Sequence, residues 1–167
     1  MTNEELKAYL QTWDDKLEFI EPVPDDTSLI TVLDDLSGTW LNVEVPLSHL
    51  KGFMRQLHAD KETAFDYLFN MTGMDWGKEL GVIYHLESKR HGHILVVRAR
   101  TADRENPVFP TMEDIWNTAH LHEREIFDLL GIRFEGHSNL KRIFLTPDFK
   151  GYPLRKDYED DYMILRK

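Results

Sequence analysis

The chain has 167 residues, 41% hydrophobic and 11% aromatic, which suits one folded domain with a core of its own and argues against disorder. Thirty acidic residues against twenty basic ones leave a formal net charge of −10. That balance makes a poor general nucleic-acid binder and disfavours anionic lipid surfaces, because both are held by cations. The lack of any cysteine excludes disulfides, thiolate catalysis and cysteine-ligated clusters in this chain.

The first residues, Met1 to Glu5, are acidic and lack the basic and apolar regions of a signal peptide. Thr2 and Glu5 form a capping box that predicts a helix over about 3–13. The apolar run Leu29 to Leu33 reads as a strand, 34–38 as a turn, and the alternation of Leu41, Val43 and Val45 as a half-buried second strand. Pro46 ends that strand, Ser48 is placed to cap a helix, and Leu50, Phe53, Met54 and Leu57 form its apolar face. Phe65, Leu68 and Phe69 predict a further helix ending near Gly73. Val82–Leu86 and Ile94–Val97 read as an antiparallel pair around His91-Gly92-His93, the second of them mid-sheet. No apolar stretch approaches the ~20 residues of a membrane span, so any membrane link must run through a partner.

The most informative segment is 111–130. Pro110, Thr111 and Asp114 read as a helix start and Gly131 as its left-handed end. Met112, Ile115, Trp116, Ala119, Ile126, Phe127 and Leu130 make one stripe at about 100° per residue, and Glu123 falls inside it. A carboxylate there requires a facing donor, for which Arg142, Arg155, Lys156 and His137 are candidates. Leu121 and Leu129 lie on the opposite side, so the helix requires a second cover. Glu123-Arg124-Glu125 is best read as a lattice of ion pairs holding the following segment, 131–157, to the helix. The competing reading is a free-standing acid–base enzyme using Glu123, Glu125 and His137.

No metal site is expected. His120 and His122 stand two apart and diverge on a helix, His91 and His93 flank a turn, and His137 suits a loop hydrogen bond. Neither a phosphate-binding glycine loop nor a G-x-S-x-G elbow occurs. The whole reads as an α+β fold, a mainly antiparallel sheet with helices on one face. Residues 1–135 form the compact domain and 136–167 an extended C-terminal docking segment of the same unit. That segment is broken by Gly136, Pro147, Gly151 and Pro153 yet rich in apolar groups.

The stretch Glu123-Arg124-Glu125-Ile126-Phe127-Asp128-Leu129-Leu130-Gly131-Ile132-Arg133-Phe134-Glu135-Gly136-His137 closely resembles the signature of the C-type subunit family of respiratory complex I. The likeness continues through Leu140-Lys141-Arg142-Ile143 and Gly151-Tyr152-Pro153-Leu154-Arg155-Lys156-Asp157-Tyr158, and upstream in 68–75 and 84–88. The chain departs from the pattern at Ser138, Phe149 and Leu121-His122. The resemblance implies a structural subunit of the hydrophilic arm of a proton-pumping NADH:quinone oxidoreductase, without a catalytic residue or cofactor of its own. It implies FMN, iron–sulfur clusters and quinone in partner subunits, the D-type subunit of the quinone site as chief partner, and a peripheral place on the cytoplasmic face of the membrane. Membrane-bound nickel–iron hydrogenases carry a homologous subunit, the nearest alternative. The positions carried over as structural or interface residues are Glu123, Arg124, Glu125, Asp128, Gly131, Gly136, His137, Arg142, Pro153, Leu154, Arg155, Lys156 and Asp157.

Overall fold

The computed structural model describes residues 2–20 and 40–160, so the strand expected at Leu29 to Leu33 and the turn after it lie outside the described residues. Helix α1, Asn3–Gln11, begins with the expected capping box: Thr2 Oγ1 accepts from the Glu5 amide and Glu5 Oε2 from the Thr2 amide. Its inward Leu6 and Leu10 are wholly buried. A short β1, Glu18–Phe19, pairs antiparallel with β2, Leu41–Glu44.

Helix α2, Leu47–Ala59, buries Leu50, Phe53, Met54 and Leu57, the apolar face the sequence marks. Ser48 is not its cap: Pro46 occupies that position and the helix has no side-chain cap bond. The first turn is closed through the backbone instead, with His49 N donating to Pro46 O at 2.9 Å.

The helix expected to end near Gly73 is instead strand β3, Tyr67–Asp75. Asp60 Oδ1 accepts from the amides of Glu62 and Thr63, Ala64 takes a left-handed φ of 43°, and the chain re-emerges extended. Three apolar residues within five positions fit either period, and the aromatic content of the segment favours the strand. Gly73 serves a different purpose. A Cβ there would stand 2.5 Å from Leu130 Cδ1 and 2.8 Å from Ile126 Cγ2, so the glycine lets a later helix press against the strand.

Strands β4, Leu80–Ser88, and β5, His93–Thr101, form the predicted hairpin, turning through Gly92 with φ +68°. The five-stranded order is β1-β2-β5-β4-β3, which puts β5 in the middle as its continuous apolar run requires. β2 and β5 are parallel, matching Leu41 with Leu95 and Glu44 with Arg98, within an otherwise mainly antiparallel sheet. Alternate residues Leu80, Val82, Tyr84 and Leu86 are fully buried, so one face of β4 is core. On the other side Trp40, Phe69 and His85 form an aromatic cluster with ring centroids 5.7–6.2 Å apart.

The helix expected over 111–130 is shorter. Residues 111–118 are not helical but hold turns at 113–115 and 117–118, and α3 spans Ala119–Leu130 with Gly131 as its left-handed C-cap at φ 71°. Thr111 does not cap it, because its hydroxyl is committed elsewhere. Before and after α3, β6, Val108–Pro110, and β7, Arg133–Glu135, pair in parallel and bring the rings of Phe109 and Phe134 to 6.4 Å, tilted by 48°. From Gly136 to Asp160 there is neither helix nor strand. By compactness the chain falls into two units, Met1–Asn70 with Tyr84–Ala99, and Met71–Ile83 with Arg100–Lys167.

Candidate functional site

All thirteen signature residues lie in the second unit, around α3 and the irregular strap that follows β7. Four groups of polar contacts organise them.

The first group surrounds Glu123, which is fully buried. Its carboxylate accepts from the Thr111 hydroxyl at 2.6 Å and from the Met112 amide at 2.6 Å. The expected cations do not take this place: Arg142 reaches Asp128, Arg155 reaches main-chain carbonyls, and His137 sits beside His120. A carboxylate within an apolar stripe demands donors, but backbone and hydroxyl donors serve as well as cations.

The second group is centred on Asp128, also fully buried. Oδ2 accepts three successive main-chain amides, from Ile143, Phe144 and Leu145 at 2.9, 2.7 and 3.1 Å. Oδ1 takes Arg142 Nη1 at 2.8 Å. Burial pushes this carboxyl up, but the amides and Arg142 outweigh it and hold it below its ordinary value. Arg142 also donates to the Asp128 carbonyl and to Gly151 O, and lies over the Tyr152 ring at 5.2 Å. Arg124 adds a bond to Lys141 O. The strap is therefore tied to α3 by one carboxylate and two arginines, whereas Glu125 is exposed and stands about 200° from Glu123 around the helix.

The third group secures the end of the strap. Leu154 N donates to Leu129 O, and Arg155 donates to Leu130 O at 2.6 Å and to Arg104 O at 2.9 Å. Gly131 faces the Tyr152 ring so closely that a Cβ would stand 2.4 Å from it, which together with its positive φ accounts for glycine there. Lys156 contributes its amide, not its ammonium, to Asp75 Oδ2. Arg104 grips Asp75 through two bonds of 2.7 and 2.9 Å and reaches Asp157 at 2.9 Å. The Arg104 hydrogen bonds hold the Asp75 carboxyl far below its ordinary range, against the effect of burial. Sequence reasoning does not single out Asp75 and Arg104. They are 29 residues apart, and the local D-x-G turn of Asp75 onto the Gly77 amide is their one short-range sign.

The fourth group is Glu113, His120 and His137. His120 Nδ1 lies 3.0 Å from Glu113 Oε2, and His137 Nε2 lies 3.4 Å from the same oxygen. The two rings stack with centroids 4.7 Å apart. Glu113 Oε1 accepts from the Ser138 amide, while His137 Nδ1 accepts from the Asn139 amide and Nε2 donates to His120 O. Burial pushes the Glu113 carboxyl up, and the bonds from His120 and Ser138 bring it below its ordinary value. His137 is the loop hydrogen-bonder the sequence predicts, but its pairing with His120 could not be read locally.

The acid–base alternative loses its geometry here. Glu123 is sealed, Glu125 points to solvent, and His137 keeps company with Glu113. Several large apolar side chains of this unit remain in solvent: Leu121, Phe144 and Leu154 are 61%, 64% and 59% exposed. Leu129, the other half of the expected second patch, is half-buried, and its carbonyl accepts from Leu154 N of the strap. Among the described residues no helix is long and apolar enough to cross a membrane.

The fold and its pinned strap define an α+β module with an irregular C-terminal cover. Residues 43–162 match the family described as respiratory-chain NADH dehydrogenase, 30 Kd subunit, and the chain belongs to that family, the C-type subunits of respiratory complex I. It is 46% identical over 125 residues to a C/D subunit of the NADH-quinone oxidoreductase of Phocaeicola vulgatus, covering 74% of this chain and 24% of that one. It is 43% identical over 109 residues to the C subunit of the Chloroherpeton thalassium enzyme, covering 64% and 44%. Against the C subunit of the Roseobacter denitrificans enzyme it is 36% identical over 127 residues, covering 74% and 63%. The chain thus spans about a quarter of the C/D relative and less than two thirds of these C-type relatives. Among solved structures it resembles a chain of the membrane-bound sulfane sulfur reductase, an archaeal respiratory membrane complex. The TM-score is 0.73 at 25% identity, with 96% of this chain and 88% of that one covered.

Proposed function

We propose that this chain is a structural subunit of the hydrophilic arm of an NADH:quinone oxidoreductase, supporting electron transfer without taking part in the chemistry. In this reading FMN, iron–sulfur clusters and quinone reside in partner subunits, and the assembly sits peripherally on the cytoplasmic face of the membrane. The chief partner is the D-type subunit of the quinone site. The observation that carries this is the family match together with relatives named as C/D subunits, in which the part matching this chain is joined to a much longer remainder. The geometry agrees with it. The signature carboxylates Glu123 and Asp128 are buried and engaged by donors of the same chain, while Leu121, Phe144 and Leu154 stay exposed. Exposed apolar groups of this size are what an interface would cover.

The test is incorporation. Phe144→Ser and Leu154→Ser should leave the thermal unfolding of the isolated chain within ~0.5 kcal/mol of the original, as exposed positions do. The same changes should lower recovery of a D-type subunit when the native complex is purified, and NADH:quinone activity should fall in step. Full recovery and full activity with both changes would refute the reading. The archaeal neighbour belongs to a different respiratory complex, and a hydrogenase-type assembly uses a homologous subunit. Donor and acceptor activities of the purified complex decide among these.

A further inference from the structure

We propose that Glu113, His120 and His137 form a binding site for a borderline divalent cation of the zinc, cobalt or nickel class. Two imidazole nitrogens and one carboxylate oxygen, one from each residue, all lie within 4.8 Å of one another. The separations to the shared oxygen, 3.0 and 3.4 Å, bracket the ~3.3 Å edge of a tetrahedron with bonds of about 2.0–2.1 Å. Imidazole with carboxylate favours these metals over calcium or magnesium, which prefer all-oxygen shells. The three ligands come from the turn before α3, the first turn of α3 and the loop after β7, so a cation would tie those segments together.

The arrangement as it stands is a hydrogen-bonded resting form, and two adjustments convert it. A metal must lie near the plane of each ring, and rings stacked at 27° share no such point nearby, so one ring has to turn. His120 is the ring with freedom, being 34% exposed, whereas the His137 side chain is fully buried. The second adjustment concerns hydrogens. Asn139 N–H points at His137 Nδ1, which leaves the ring hydrogen on Nε2. Coordination through Nε2 moves that hydrogen to Nδ1, against the Asn139 amide, which must swing away. Binding is therefore weaker than at a preformed structural zinc site, where the second ring nitrogen faces an acceptor. The displaced amide is a built-in reporter.

The test uses the full chain without any histidine tag, titrated with zinc by calorimetry and with cobalt by visible absorption. One equivalent is expected, with a tetrahedral cobalt band and a shift of the Asn139 amide resonance on zinc addition. His120→Asn and Glu113→Gln should each weaken binding by more than ~10-fold while leaving the circular dichroism spectrum unchanged. His91→Asn, at the other histidine pair, should change nothing. Absence of saturable binding overturns the proposal. So does binding that survives His120→Asn, binding lost with His91→Asn, or zinc uptake that leaves the Asn139 resonance in place.

Discussion

Replacing Asp128 by alanine removes the group on which the strap depends most. The carboxylate accepts three main-chain amides and one guanidinium, all between 2.7 and 3.1 Å, with the acceptor fully buried. Hydrogen bonds to a charged group are worth about 1.5–3 kcal/mol each, so a naive sum reaches ~6–12 kcal/mol. That sum overcounts. The amides of Ile143 and Leu145 belong to half-buried residues and Phe144 is exposed, so water can take over part of the bonding. Arg142, 16% exposed, is the partner left most exposed to loss, and stranding one half of a buried pair costs about 3–5 kcal/mol. We expect Asp128→Ala to destabilise the chain by that amount, lowering the melting temperature by ~6–20 °C. Urea unfolding of the isolated chain measures it. Adding Arg142→Ala should cost less than the sum of the single changes, because the stranded cation is gone. A loss below ~1 kcal/mol, or full additivity with Arg142→Ala, would refute the reasoning.

Gly73→Ala should destabilise by ~1–3 kcal/mol through overpacking against Ile126 and Leu130, measurable as a lower urea midpoint at unchanged slope. Glu123→Ala leaves the Thr111 hydroxyl and Met112 amide short of an acceptor at about 1–3 kcal/mol per donor, whereas Glu123→Gln keeps an acceptor and should cost clearly less; equal losses would speak against this account. Asp75 and Asp128 both have folded carboxyl values below the unfolded ones, so their contribution is present above about pH 4 and fades as pH falls toward the folded values. Asp75→Asn should therefore lower stability at pH 7 and flatten its decline between pH 4 and 3, as read from urea unfolding at each pH.

Local signals were sufficient where neighbours in the chain decide the outcome. The Thr2–Glu5 capping box, the apolar face of α2, the β4–β5 hairpin and the left-handed Gly131 all depend on residues a few positions apart. Local signals failed at β3, where a short apolar cluster fits both periods, and at β6 and β7, which are three residues each, β6 preceded by Pro107 and ending on Pro110, β7 lying between Gly131 and Gly136. The start of α3 failed for another reason. Thr111 looks like a cap in sequence, but its hydroxyl is drawn to Glu123, twelve residues on, and the chain before Ala119 turns to deliver it.

Residue pattern carries the α+β class, the family signature from Glu123 to Tyr158, and the requirement that the carboxylate of Glu123 find donors in an apolar stripe. Which donors answer depends on contacts between residues far apart in the chain. Glu123 is served by a hydroxyl and an amide, Asp128 by three amides and Arg142, and Asp75 by Arg104 together with an amide 81 residues away. Desolvation makes the demand for a partner a property of each buried charge and therefore readable from pattern. Any amide, hydroxyl or guanidinium brought within about 3 Å can meet that demand, and only the folded chain determines which one arrives.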